Sequence, residues 1–560
     1  MRLSRFTYFI VFVFCTICIV MSPIQMSAQR KLFQFKKHKK EKHQVSPIVT
    51  NPDAHKYAEM AVPVGFTDLD ENIRDLQLLG KISPENSLTI RPYYTDTKVS
   101  YDSVIHLIDS SVHYNGYVYK SSNFNVRLLP VSYLQKYNSD HPYGWNDGAL
   151  NYSKGYQSSL SAGVFVQWRK LKIQLRPEYV NIFSEKYSTS TNWGYVAPPI
   201  HKILPGNSSV RLDLGPFTAG ISNENLWWGP GMYNSLLMSN NAPGFEHVSI
   251  NTNRPLKTWL GSFQFNLMGA TLTQNKDQGF ENNNLYPKNI SVNNRYLNSL
   301  NIVFQPKMFE NISFGLTRLF QNYYSNHNYK FTTKYLPVIG GLWNSAAETI
   351  DTVQRDQYIA FNLRYIFPKN HAEFYFEFGY NDAKKNLRDL ELDMGHSSAY
   401  LVGFKKLKYL DKSSYLSINF EAIRMSQLPS YLMRNAGNWY VHGIISEGYT
   451  NQNQIMGAGG GLGNNMQTIA VAYHKGFNKI GLIYHHILEN PFGLVNYNTA
   501  DLGLRTFNWT DNAYGIQSSM RYKKLVFNAD IQYVNSSNYQ WIQGKATNNV
   551  YVLFNTMYLW

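Results

Sequence analysis

The stretch Tyr551-Val-Leu-Phe-Asn-Thr-Met-Tyr-Leu-Trp560, at the end of the chain, decides the fold class. Apolar side chains recur along it at every second position, with Val552, Phe554, Tyr558 and Trp560 on one face. This period of two is that of a β-strand whose faces meet different surroundings. In a transmembrane barrel one face meets lipid and the other meets the lumen, and aromatic side chains collect at the membrane interface.

Similar segments recur along the chain, joined alternately by long and short connections. In chain order, the strand-like segments are approximately 124–131, 160–168, 171–180, 208–214, 217–222, 247–252, 259–270, 298–306, 311–318, 357–366, 372–381, 398–406, 413–424, 467–474, 479–487, 513–521, 524–533 and 550–559. Bacterial barrels have an even number of antiparallel strands, short periplasmic turns and longer exterior loops. The sequence therefore predicts an all-β fold, a transmembrane antiparallel β-barrel of about 18 strands over residues 124–560. A soluble β-sandwich or barrel is the alternative, but it would mix its loop lengths.

Composition agrees with a barrel in the bacterial outer membrane whose long loops are exposed at the cell surface. Tyr (42) and Phe (32) are abundant, only 16% of residues are charged, and the mean hydropathy is −0.35. Residues 1–28 read as a signal peptide, with a basic start and an apolar core from Phe6 to Val20. Both cysteines, Cys15 and Cys18, lie inside it, so the mature chain is predicted to have no disulfide and no thiolate metal site.

Two further segments precede the barrel. Residues 29–60 are predicted to be a basic flexible lead-in, with a cationic run from Arg30 to Lys42. Beyond the inner membrane this run would meet lipopolysaccharide phosphates or acidic polysaccharides rather than nucleic acid. The alternative is that it forms a solvated tail. Residues 61–123 are predicted to form a small periplasmic helical element, with one helix opening near Thr67 and ending at Gly80 and a second from Tyr101 to Ser110.

Three clusters of aromatic and amide residues fall in the predicted exterior loops. Trp and Tyr rings offer apolar platforms for sugar rings, whereas amides and carboxylates bind hydroxyls. The predicted polysaccharide-binding residues are Trp145, Asn146, Asp147, Trp227, Trp228, Asn240, Asn241, Trp439, His442 and Tyr449. The alternative is that these rings form an ordinary aromatic girdle and that Gly229-Pro230-Gly231 is a common turn.

A second group of residues is predicted to give the lumen its charge: Arg176, Glu178, Arg211, Arg364, Glu373 and Glu377. The arginines could meet acidic groups of a polymer. Carboxylates such as Glu373, Glu377 and Glu421 could imitate a glycosidase pair, but no spacing singles out two of them. There is also no Gly-x-Ser-x-Gly elbow and no convincing set of metal ligands. We therefore expect neither an enzyme nor a cofactor or metal site.

At the loop clusters the sequence resembles the Wzi family of capsule assembly proteins. The resemblance extends over most of the mature chain, and its most specific part is Trp227-Trp-Gly-Pro-Gly231 followed by Ser239-Asn-Asn-Ala242. It implies an eighteen-stranded outer-membrane barrel with a periplasmic helical element and a lectin-like role in attaching capsular polysaccharide. The segment Asn451-Gln452-Asn453 departs from the family pattern, where a His is expected, and so does Tyr484 to Asn490, which lacks the usual Glu and Arg.

Two functions are thus in competition. The first is a non-enzymatic surface lectin whose partners are capsular or other surface polysaccharide, outer-membrane lipids and the capsule export machinery. The second is a polysaccharide export pore or general porin, because eighteen strands enclose room for water. The periplasmic helical element could plug such a pore, which favours the lectin.

Overall fold

The computed structural model describes residues 61–65, 69–94, 101–112, 114, 116–184, 200–274, 294–325, 338, 355–381, 395–427, 438–490 and 508–560. The predicted signal peptide, the basic lead-in and the helix start at Thr67 lie outside these residues. No helix in the described ranges is long and apolar enough to cross a membrane.

Eighteen antiparallel strands form one closed barrel, as the sequence predicts. In chain order they are β1 (Phe124–Asn138), β2 (Gly155–Trp168), β3 (Leu171–Leu175 and Glu178–Ser184), β4 (Ile200–Leu204 and Ser209–Leu214), β5 (Phe217–Ser222), β6 (His247–Thr252), β7 (Gly261–Leu272), β8 (Arg295–Pro306), β9 (Ile312–Tyr323), β10 (Asp356–Phe367), β11 (Ala372–Asn381), β12 (Ser398–Tyr409), β13 (Ser414–Arg424), β14 (Asn465–Lys475), β15 (Asn478–Glu489), β16 (Trp509–Tyr522), β17 (Leu525–Ser537) and β18 (Thr547–Tyr558). The last strand pairs with the first, from Tyr551 opposite Asn138 to Tyr558 opposite Val131, and this pairing closes the sheet.

The interruptions in β3 and β4 lie opposite one another. β3 breaks at Pro177, which has no N–H to donate to a ladder, and β4 breaks between Leu204 and Ser209. Arg176 and Gly206 form an isolated bridge within the gap. The sequence predicts only the second half of β4, at 208–214, and Ile200–Leu204 is an addition to the predicted strands.

The predicted alternation of side chains is confirmed on the barrel wall. On β3, Leu175 and Tyr179 are 52% and 44% exposed on the outer face, whereas Lys172 and Gln174 are buried inside. The outer face is therefore apolar and the inner face polar, as a lipid-facing barrel requires.

Two helices pack against the end of the barrel that carries the short turns. They are α1 (Leu69–Leu78) and α2 (Tyr101–Ile108), close to the two predicted helices. Ile73 of α1 and Val104 of α2 share one apolar cluster with Phe477 from a short turn and Leu559 after β18. The sheet itself begins at Tyr117, since Tyr117–Lys120 pairs with β1 before the predicted boundary at residue 124.

Ion pairs fasten α1 to the inner wall. Lys405 of β12 contacts Asp75, and its Nζ lies 3.1 Å from Oε1 of Glu71; Lys479 of β15 lies 2.7 Å from Oε2 of Glu71. Burial raises the pKa of the Asp75 carboxyl to about 6, although Lys405 acts in the opposite direction. Burial also acts to raise the pKa of Glu71, but the charges of Lys405 and Lys479 hold it well below its usual range.

This cluster has the outline of a metal site, because Glu71, Asp75 and His474 bring ligand atoms within 4.8 Å of one another. The ammonium groups of Lys405 and Lys479 already pair with both carboxylates. Since they supply the positive charge that a cation would bring, we interpret the cluster as an anchor for α1.

Candidate functional site

The three aromatic and amide clusters of the sequence meet inside the barrel. The Asn240 side chain donates from Nδ2 to the carbonyl of Asn146 at 2.8 Å, which joins the second cluster to the first. Asn241 donates from Nδ2 to the carbonyl of Ile455 at 2.9 Å, and the Ser239 N–H donates to the carbonyl of Met456 at 2.8 Å. Three loops that are remote in sequence therefore form one hydrogen-bonded body.

Most of the predicted sugar platforms lie in the interior of this body. Trp228 is 2% exposed, and Trp439 and Tyr449 are 0% exposed. Tyr358 of β10 packs beside them, with ring centroids 6.0 Å from Trp439 and 4.9 Å from Tyr449. The sequence places these rings on exterior loops; the structure instead makes them the apolar core of the loops, where no ring face is open to a ligand.

Trp227 is also buried, near the inner end of the barrel. Trp227-Trp228 pairs as a short antiparallel strand with Ile90-Arg91, and the Arg91 guanidinium lies 4.5 Å from the centroid of the Trp227 ring. Arg91 also pairs with Asp70 of α1 at 2.8 Å. The connection between β5 and β6 thus reaches down to the helices instead of extending outward.

Two lumen carboxylates hold this connection by its backbone. Glu377 of β11 accepts hydrogen bonds from the N–H groups of Gly231 at 3.2 Å and Leu236 at 2.9 Å. Glu421 of β13 accepts from the N–H of Met232 at 2.7 Å and from the hydroxyl of Tyr375 at 3.0 Å. Both carboxylates are buried and their oxygens bind donors of the protein, so they act as anchors rather than as an acid–base pair.

The close approach at Glu377 requires glycine. Gly229 has a φ of +124°, which side chains rarely adopt, and a methyl group there would overlap the Glu377 carboxylate. The Gly-Pro-Gly turn of the sequence is therefore a docking contact with the wall.

A further carboxylate of the lumen group, Glu373, binds two arginines. Arg364 donates to it from Nε at 2.8 Å, and Arg74 of α1 forms a second ion pair with it. Arg364 also donates to Oε1 of Gln77 at 2.6 Å, while Arg74 donates to the carbonyl of Pro230 at 2.6 Å. This network connects α1, the wall and the Gly-Pro-Gly turn.

The other members of the predicted lumen group have protein partners as well. Arg211 pairs with Glu224, Arg176 donates to the carbonyl of Pro130 at 3.1 Å, and Glu178 accepts from Asn207 at 3.1 Å. Arg176, Arg211 and Arg364 are all buried and contact the protein, and their contact with acidic groups of a polymer stays a prediction.

Four of the predicted binding residues remain half-exposed: Trp145, Asn146, Asn241 and His442. Trp145 donates from Nε1 to the carbonyl of Tyr233 at 3.1 Å, and its ring lies edge-on to His485 with centroids 5.0 Å apart. These contacts fix the orientation of the indole while part of it stays open to solvent.

His442 is half-exposed, and the backbone of its own segment bonds to one of its ring nitrogens. Its Nδ1 accepts hydrogen bonds from the backbone N–H groups of Ile444 at 3.3 Å and Ile445 at 3.2 Å. The neighbouring Ile444 is 47% exposed, and its carbonyl lies 3.5 Å from the hydroxyl of Tyr323 at the end of β9.

Asp147 and Asn240 serve the scaffold. Asp147 accepts from Lys136 of β1 at 2.5 Å, and Asn240 accepts from Asn225 at 2.6 Å. Burial of these groups removes them from direct contact with a ligand.

One further aromatic cluster lies outside the predicted binding residues. Trp509, Tyr539 and Trp541 pack together, with 4.7 Å between the rings of Trp509 and Tyr539 and 5.1 Å between the two indoles. The signal was present, since Tyr539-Gln-Trp541 has the same aromatic and amide composition as the clusters that were selected.

The described residues fill much of the lumen. Loop residues such as Leu236, Trp439 and Met456 form the largest apolar cluster together with wall residues, and ion pairs bind α1 to the wall. The fold and these contents define a class: a transmembrane β-barrel of the outer-membrane type whose interior is occupied by its own loops and N-terminal helices.

Comparison with known proteins identifies the family. Residues 149–550 match the family described as Capsule assembly protein Wzi, which is most of the chain, and the chain belongs to this family. A search of curated proteins finds no match.

Among solved structures, the chain is similar to Wzi of Escherichia coli, described as an outer membrane protein involved in group 1 capsule assembly and a carbohydrate-binding β-barrel. The TM-score is 0.60 at 14% identity, over 90% of this chain and 100% of that one. OprD of Pseudomonas aeruginosa also matches, with a TM-score of 0.36 at 8% identity over 77% of this chain and 92% of that one. The first likeness supports the eighteen-strand fold; the second is too weak for an argument.

Proposed function

We propose that this chain is a non-enzymatic lectin of the outer membrane that binds capsular or other surface polysaccharide and helps to attach it to the cell. The observation that carries the proposal is the hydrogen-bonded body formed by the three loop clusters, with Trp145, Asn146, Asn241 and His442 half-exposed on it. A rigid surface with a stacking ring and several polar groups suits repeated sugar units, because little ordering is needed on binding.

Membership in the Wzi family supports the proposal, and so does the E. coli structure, which is described as carbohydrate-binding. The buried members of the predicted site, among them Trp228, Trp439 and Tyr449, are positioning residues in this proposal. Contact with the capsule export machinery belongs to the same proposal, because a polymer must reach the surface before it is attached.

The test is binding of the producing cell's own purified polysaccharides to the detergent-solubilised full chain. Trp145→Ala and His442→Ala are expected to lower affinity about fivefold each, the effect of one lost contact of about 1 kcal/mol. The matched control is Trp259→Ala, which removes an indole that is 83% exposed at the short-turn end. Wild-type affinity in both site variants, with the barrel intact, would refute the assignment of the site.

A further inference from the structure

The short-turn end of the barrel carries an unusual number of exposed cations. Eight short turns join the strands at this end, and seven have an exposed Lys or Arg in the turn or in the strand residues next to it. The exception is Gly215-Pro216, between β4 and β5. Exposed acids are few among the described residues of this end, namely Glu85, Glu310 and Asp411.

Two of these acids already have partners. Glu85 pairs with Lys257 at 2.8 Å, and Asp411 accepts hydrogen bonds from Ser413 and Ser414. The cations at the other turns therefore have little acidic surface beside them within the described part of the chain.

Exposed apolar side chains accompany the cations. Lys307 precedes Met308 and Phe309, which are 82% and 55% exposed, and Lys408 precedes Tyr409 and Leu410, which are 38% and 55% exposed. Trp168 beside Arg169 (56%), Trp259 near Arg254 (83%) and Tyr522 beside Lys523 (60%) repeat the pattern at other turns.

The pattern recurs at five of the eight short turns, those between β2 and β3, β6 and β7, β8 and β9, β12 and β13, and β16 and β17, so it is not confined to one patch. A protein partner would cover one sector of the barrel, whereas lipid surrounds it. A cation next to an apolar tip also matches the boundary between phosphate headgroups and acyl chains, where cationic side chains extend toward water and aromatic rings lie at headgroup level. At the short-turn end this boundary belongs to the inner leaflet, because short turns face the periplasm.

We propose that the short-turn rim of this barrel is a binding ring for anionic glycerophospholipids of the inner leaflet. Lys and Arg of the turns contact the headgroup phosphates, and the adjacent apolar side chains insert between the acyl chains. The attraction is electrostatic, so it weakens with salt. This inference is independent of polysaccharide binding at the opposite end.

The test uses the full chain in nanodiscs made from equal parts of phosphatidylglycerol and phosphatidylcholine. Native mass spectrometry counts the lipids that remain on the protein after release. We expect the retained lipids to contain about three or more molecules of phosphatidylglycerol for each phosphatidylcholine, and this ratio to fall between 0.1 and 0.5 M salt.

A rim variant and a matched variant distinguish the two ends. The rim variant combines Lys307→Gln, Lys408→Gln and Lys475→Gln; the matched variant combines Arg318→Gln, Arg424→Gln and Lys545→Gln, away from the short turns. The rim variant is expected to lose most of the enrichment while the matched variant keeps it.

Three outcomes would overturn the proposal. The first is that the wild type shows no enrichment of phosphatidylglycerol, and the second is that the rim and matched variants lose this enrichment equally. The third is that the rim variant keeps the lipid ratio of the wild type but no longer binds a soluble acidic polysaccharide. The last result would make the rim a glycan surface.

Discussion

Removal of Lys405 tests whether ion pairs hold α1 in the barrel. The Lys405→Met variant keeps most of the length of the unbranched side chain and deletes its charge. Asp75 then loses its ammonium partner inside the protein, whereas Glu71 keeps Lys479 at 2.7 Å. Breaking a buried pair from one side costs about 3–5 kcal/mol, and the retained Lys479 contact favours the lower end of about 3 kcal/mol.

The assay is hydrogen exchange of the α1 amides in the full chain, because local opening controls their exchange rate. A loss of about 3 kcal/mol corresponds to exchange about 100-fold faster. The matched control is Lys408→Met, which removes an exposed charge from the same strand. Exchange in Lys405→Met within about threefold of wild type would refute the role of the ion pairs.

A second variant separates the orphaned charge from lost packing. Adding Asp75→Asn to Lys405→Met removes the carboxylate that has lost its ammonium partner and keeps only the hydroxyl of Tyr415 at 3.0 Å, and exchange is expected to slow by about tenfold or more. Equal rates in the single and double variants would show that the charge of Asp75 is not the cause.

Further predictions concern the same network and the loops. Trp228→Ala should lower the free energy of unfolding by about 3–5 kcal/mol in guanidinium titrations, because the indole is only 2% exposed, whereas Trp259→Ala should change it little. Glu421→Gln weakens the hydrogen bonds to the N–H groups of Met232 and Tyr233, so planar-bilayer recordings should show more frequent channel openings than in the wild type; equal conductance in the two would contradict this. Gly229→Ala should destabilise by about 1–3 kcal/mol in the same titration, and an unchanged midpoint would refute the glycine requirement. Burial raises the pKa of Asp75 to about 6, so this carboxyl contributes stability at low pH that is lost as the pH rises through 6. The protection of the α1 amides against hydrogen exchange should therefore fall between about pH 4 and 6 relative to Asp75→Asn. Parallel pH profiles of exchange in the two proteins would exclude this.

The strands could be predicted closely because their signal is local. The predicted segment 372–381 agrees with β11 at both ends, and the rings of Phe374 and Phe376 face outward opposite the buried Glu373 and Glu377. Alternation depends only on neighbouring residues and on the contrast between lipid and lumen.

The destination of the loops could not be predicted in the same way. Nothing near Trp228 in the sequence shows that its backbone neighbours will meet Glu377 and Glu421, which lie on strands about 150 to 200 residues away. The sequence marked Glu377 and Glu421 as lumen carboxylates, but whether they bind water, substrate or backbone depends on tertiary contacts. Two glycines beside Pro230 were the available hint, since small residues allow backbone to approach a wall.

The contacts from α1 to the outer end have a mechanical consequence. Arg74 donates a hydrogen bond to the carbonyl of Pro230 in the connection between β5 and β6. Glu377 and Glu421 bind the backbone of the same connection, and Asn241 joins it to the segment that contains His442. A pulling force on the outer segments would therefore be shared among several strands at mid-height and by the helices below. The whole barrel therefore resists the force. If the outer segments were attached to a single flexible hairpin, that hairpin alone would bear it.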